Sequence, residues 1–68
     1  MAEKSTRLDN ATASVTYVGE AALTADPSVA MWRIRELSTI GTVMIIKWAD
    51  GNEDYDNVWD DRASLTYL

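Results

Sequence analysis

The chain has 68 residues, eleven acidic and six basic, for a formal net charge of −5, and it contains neither cysteine nor histidine. That length admits one domain with a small core, and the missing residue types exclude disulfides, zinc sites of the usual kinds, cysteine nucleophiles and the serine–histidine triad. The basic residues are scattered, which argues against a nucleic-acid partner, and no apolar run approaches the roughly 20 residues of a membrane span.

Residues 1–12 hold one large aliphatic side chain, Leu8, among Ser, Thr, Asp, Asn and Ala. So little apolar surface does not offset the entropy of ordering the segment, so a flexible N-terminal arm is expected, either a frayed end or a tether that orders on docking. Its polar, mixed-charge start reads as neither a signal peptide nor an anchor. A single small β domain is expected over residues 13–68. Residues 13–19 alternate, with Val15 and Tyr17 on one side and Ser14, Thr16 and Val18 on the other, the pattern of a half-exposed strand ended by Gly19. Residues 20–28 are too few for a stable helix and are stopped by Asp26-Pro27, so a crossing loop with Leu23 tucked beneath it is expected.

Two strands follow, over residues 29–37 and 43–48, joined by Ser38-Thr39-Ile40-Gly41-Thr42. In the first, Trp32 and Ile34 share one face while Met31, Arg33 and Arg35 take the other. In the second, Val43-Met44-Ile45-Ile46 breaks the alternation and is apolar on both faces, which predicts a central strand. A sheet this small has too few layers to cover both its faces. Met44, Ile46, Trp48 and Trp32 are therefore candidate interface residues; the competing reading is a curled barrel whose own loops close the second face.

Asp50-Gly51 is a tight-turn signal. Residues 52–58 then read as a return strand carrying Tyr55. Trp59-Asp60-Asp61-Arg62 reads as a turn in which Asp60 or Asp61 caps backbone amides and Arg62 ties the turn through a charge-assisted bond. Residues 64–68 read as a last strand with Leu65 and Tyr67 in register. The expected fold is mainly β: a small antiparallel sheet or curled barrel of four to five strands.

Six of the eleven acids fall between Asp50 and Asp61. Asp50, Asn52, Asp54, Asp56 and Asp61 occupy the first, third, fifth, seventh and twelfth places of a calcium loop, but Tyr55 stands where glycine is needed and helices do not flank the segment. A solvated edge that resists strand pairing accounts for the acids more simply. A paired-carboxylate enzyme site drawn from Asp54, Asp56 or Asp60 lacks a cleft. An acidic mimic of DNA phosphates that blocks a nucleic-acid enzyme remains an alternative, although such mimics carry denser charge. Trp32, Trp48 and Trp59 suit burial better than a stacking platform for sugars or bases, and a glycan- or receptor-binding module using exposed aromatics is the other alternative. The expectation is a non-enzymatic chain with neither cofactor nor metal.

The segments Tyr17-Val18-Gly19-Glu20-Ala21, Trp32-Arg33-Ile34-Arg35-Glu36-Leu37, Trp48-Ala49-Asp50-Gly51-Asn52 and Tyr55-Asp56-Asn57-Val58-Trp59-Asp60-Asp61-Arg62-Ala63-Ser64-Leu65-Thr66-Tyr67 together form a pattern. That pattern resembles a group of short proteins encoded by tailed bacteriophages, usually among virion structural genes. The resemblance covers residues 15–67, and its second half is the more specific. It implies a multi-copy structural or accessory part of the head shell, tail or fibres. Such a part is made in the host cytoplasm and partnered by other virion proteins, and the group offers no catalytic residues to carry over.

Overall fold

The structure, a computed structural model, describes residues 4–68. Five strands, β1 (Lys4–Asp9), β2 (Val15–Ala22), β3 (Ala30–Ile40), β4 (Val43–Trp48) and β5 (Asn57–Val58), precede a 3-10 helix, Trp59–Ser64. The strands form one antiparallel sheet in the order β1-β2-β3-β4, with β5 paired to the start of β3. The sheet is open and does not close into a barrel.

β3 is the organising strand because it pairs with β2, β4 and β5. At about 3.3 Å per residue its eleven residues span roughly 35 Å, most of the 38 Å long axis of the molecule. The predicted alternation holds within it: Trp32 and Ile34 are buried on one face. On that face the core gathers Ala21, Trp32, Ile34, Ala49 and Trp59, with Tyr17, Leu65 and Tyr67 packed against them.

Burial of Trp32 and Trp59 dictates what lies between them. Their rings sit 5.8 Å apart over Gly19, which continues β2 rather than ending it. A Cβ at position 19 would collide with the Trp59 ring and lie 3.1 Å from Cε3 of Trp32, so only glycine lets the tryptophan layer close onto the strand. The loop between β2 and β3 completes the clasp. The Asp26 carbonyl accepts from the Trp32 indole at 3.1 Å, and the Pro27 carbonyl accepts from the Asp60 amide at 3.0 Å. Asp26 shapes this loop through its carboxylate, which accepts from the Ser28 hydroxyl at 2.6 Å and the Ser28 amide at 2.9 Å. Those bonds hold its carboxyl below the ordinary aspartate range.

Several expectations are corrected. The part of the predicted arm that is described is a strand: all six residues of β1 pair with β2, from Lys4↔Ala22 to Asp9↔Tyr17. Residues 1–3 of that arm lie outside the described residues. Leu23 is exposed rather than tucked under. β4 is an edge strand, not a central one. Of the return strand over residues 52–58 only Asn57–Val58 forms, and the last strand reduces to a bridge between Ala49 and Tyr67.

One turn matches its sequence signal and another is shorter than expected. Asp50 and Gly51 both take positive φ, 59° and 73°. Gly41, at 62°, opens a two-residue connection between β3 and β4, shorter than the predicted five because β3 runs on to Ile40.

Candidate interaction surface

Register divides the sheet into two faces. Cross-strand partners share a face, so Trp32 and Ile34 stand with Gly19 and Ala21 of β2. Arg33, Arg35 and Leu37 stand with Glu20, Val18 and Thr16 of β2 and with Trp48 and Ile46 of β4. The 3-10 helix and the segment after it cover only one end of the first face. The β3–β4 hairpin extends beyond that cover.

The covered end is knitted through Arg62. Its guanidinium donates to Asp9 at 2.9 Å and to the Trp59 carbonyl at 3.1 Å, and it stacks 4.7 Å from the Trp59 ring. The Tyr67 hydroxyl donates to the Arg62 carbonyl at 2.7 Å. Burial is the main cause that pushes the Tyr67 phenol above its ordinary value, with Tyr17, 5.6 Å away between ring centres, adding to it. Arg62 thus bonds within its own turn at Trp59, while its carboxylate partner comes from β1 and not from Asp60 or Asp61. At the N-terminus of the 3-10 helix no side chain among the described residues, Asp60 and Asp61 included, caps the backbone.

On the opposite face cations and aromatics interleave. Arg33 lies 5.0 Å from the Tyr55 ring and 5.6 Å from Trp48, and Arg35 lies 5.2 Å from Trp48. Glu20 binds Arg33 at 3.1 Å and Arg35 at 3.9 Å. Its hydrogen bond raises Arg33 above the ordinary arginine range, against the burial that works the other way. Beside this layer Lys4, Ala22, Met31 and Tyr55 line a shallow hollow of about 220 Å³.

The four predicted interface residues separate. Trp32 is 1% exposed and belongs to the core, a correction that follows from Trp59 folding over its face. Trp48 is half-buried beneath two arginines. Met44 and Ile46 are 58% and 56% exposed, and Val43 and Ile40, on the other face of the same hairpin, 58% and 67%. Sequence reasoning missed Ile40 because it assigned residue 40 to a loop, whereas Val43 stood in the strand read as apolar on both faces. The signal was there: Gly41-Thr42 is a sufficient hairpin connection by itself.

The backbone of β4 adds to this. Ala49 donates to the Ile34 carbonyl at 2.8 Å, which sets the phase of the β3–β4 ladder: odd residues of β4 bond inward and even residues face out. Asp50 donates outward to Thr66 at 2.8 Å, and Leu68 donates to the Trp48 carbonyl at 3.1 Å. The amides and carbonyls of Met44 and Ile46 face outward with no partner among the described residues.

The acids near Asp50 do not converge. Among the described residues no three Asp or Glu side chains are gathered so as to hold a metal ion. Asn52, Asp54 and Asp56 lie on an exposed loop, Asp50 and Gly51 form the turn before it, and Asp61 is in the 3-10 helix. No helix among the described residues is long and apolar enough to cross a membrane. Comparison with protein-family models, with curated proteins and with solved structures finds no match.

Proposed function

We propose that this chain is a non-enzymatic structural or accessory protein of a phage particle, acting by contact with other virion proteins in the head shell or the tail and fibre assembly. The setting comes from the sequence resemblance. The mode of action is supported by one observation, the distal β3–β4 hairpin, where Ile40, Val43, Met44 and Ile46 are all exposed next to an open strand edge. A free, apolar, uncharged edge invites association and is normally blunted by charges, proline or a bulge. Between residues 43 and 47 the strand has none of these but Lys47. An apolar surface on a small acidic chain is suited to being covered by protein.

The test is peptide mass spectrometry of purified particles of the encoding phage, set against the soluble lysate. The expected result is the chain in particles, in several copies, with imaging assigning it to head or tail. Particles that lack it while the lysate retains it overturn the reading.

A further inference from the structure

The two edges of the sheet differ in how they meet solvent. β1, Lys-Ser-Thr-Arg-Leu-Asp, carries three charges in six residues, the kind of edge that discourages strand addition. β4 carries one, Lys47, and no break in its pairing register with β3.

The open part of β4 has defined limits. At one end Thr66 and Leu68 already bond to its outer side, at Asp50 and Trp48. At the other end the chain turns at Gly41-Thr42. Five residues, 43–47, are left between those limits, and within them the outward backbone groups belong to Met44 and Ile46, symmetric about Ile45.

A second copy of the same strand, run antiparallel, presents that same spacing of outward groups. We infer that residues 43–47 pair antiparallel with the same residues of a second copy, about a two-fold axis at Ile45, so that two five-stranded sheets join edge to edge through β4. The inference rests on the protein-contact reading above and names its partner. In this register Met44 of each copy faces Ile46 of the other. Both rungs are of the hydrogen-bonded kind, each exchanging two N–H···O bonds, so all the outward groups of both residues are satisfied. Ile45 meets its symmetry mate in the closer, non-bonded rung on the opposite face. Lys47 faces Val43, so the two ammonium groups are not opposed.

Neighbouring registers do worse. Moving the axis to Ile46 places Met44 against Trp48, whose carbonyl already accepts from Leu68. Moving it to Met44 leaves Ile46 against Thr42 in the turn. A closed isologous pair of this kind also removes both open edges at once.

The register makes a specific test possible. Sedimentation equilibrium of the purified chain is expected to show a monomer of 7.6 kDa converting to a dimer as concentration rises. Amide exchange at Met44 and Ile46 is expected to slow over the same range, while the inward amides of Ile45 and Lys47 are protected throughout. Ile46→Lys and Met44→Glu, each at an exposed position, are each expected to weaken the dimer by roughly tenfold or more with unchanged circular dichroism. The double variant is expected to recover it, because the new carboxylate at 44 faces the new ammonium at 46 of the other copy. Leu8→Lys on the β1 edge is the control and should leave the mass unchanged.

A chain that stays monomeric into the millimolar range overturns the inference, as does a dimer insensitive to positions 44 and 46. A monomer whose edge instead takes a strand from a different virion protein overturns it too. A monomer found in particles refutes the dimer alone; a dimer missing from particles refutes the virion reading alone.

Discussion

β3 begins beneath Trp59 and beside β5, where Trp32 and Ile34 are lost to solvent, and it ends at Ile40, which is 67% exposed. One strand therefore runs from a sealed region to a bare one. The sealed end contains two tryptophans, a glycine that admits them and the Arg62 network reaching back to β1. The bare end has its ladders to β4 and to the start of β2, with no described layer packed over Ile40. The difference separates what holds the chain folded from what is left to meet another molecule, since substitutions at the two ends should register in different measurements.

The largest expected effect breaks the sealed end. Trp59→Ala opens a cavity over Gly19 and Trp32 and should cost about 3–5 kcal/mol. A small domain has about 5–15 kcal/mol in total, so urea unfolding should shift far toward low denaturant and near-ultraviolet dichroism should collapse. Gly19→Ala approaches the same layer from the other side. Its methyl group must push the Trp59 ring away, and a loss of about 1–3 kcal/mol is expected in the same assay. A Gly19→Ala protein as stable as the parent would show that the ring does not rest on that backbone.

Tyr67 sharpens the comparison through pH. Burial raises its phenol, so the folded chain holds that proton more firmly than the unfolded chain does. The associated stability is fully present below the ordinary tyrosine value of about 10 and is lost as pH climbs above it. The melting temperature should be level up to about pH 9 on this account and fall beyond it. Tyr67→Phe should remove that tyrosine's share of the alkaline fall, at a cost near 1 kcal/mol for the bond to Arg62. The Asp9–Arg62 pair is smaller still. Both side chains are about a third exposed, so solvent screening limits the coupling to roughly 0.5–1 kcal/mol. A double-mutant cycle with Asp9→Asn and Arg62→Met measures it, and high salt should shrink it.

What the sequence disclosed follows the same division. Local signals were legible: the alternation that puts Trp32 and Ile34 on one face, the Asp50-Gly51 turn, and a mainly β chain of four to five strands. Non-local ones were not. β1 has only Leu8 as a large apolar residue because an edge strand is held by backbone pairing to β2 and by Asp9 reaching Arg62, 53 residues away; neither leaves a periodic trace. β4 misled in the opposite sense. A run apolar on both faces reads as buried, and from the run alone nothing shows that the described residues supply no strand outside it. Met44 and Ile46 are exposed apolar side chains, whereas placing Trp32 needed knowledge of which face Trp59 would cover.

The smallest expected effect lies at the bare end, and it distinguishes the two ends most cleanly. Ile40→Ser and Val43→Thr alter exposed side chains with no described layer above them, and at high dilution each should move the unfolding free energy by no more than about 0.5 kcal/mol. Apolar side chains are usually worth far more when replaced by polar ones, because in a core the change removes burial; where nothing covers the side chain there is little burial to remove. If instead either substitution costs as much as one at the Trp59 layer, the hairpin tip must already be covered in the isolated chain. Its apolar residues would then serve folding, and the surface at that end would have nothing left to offer a partner.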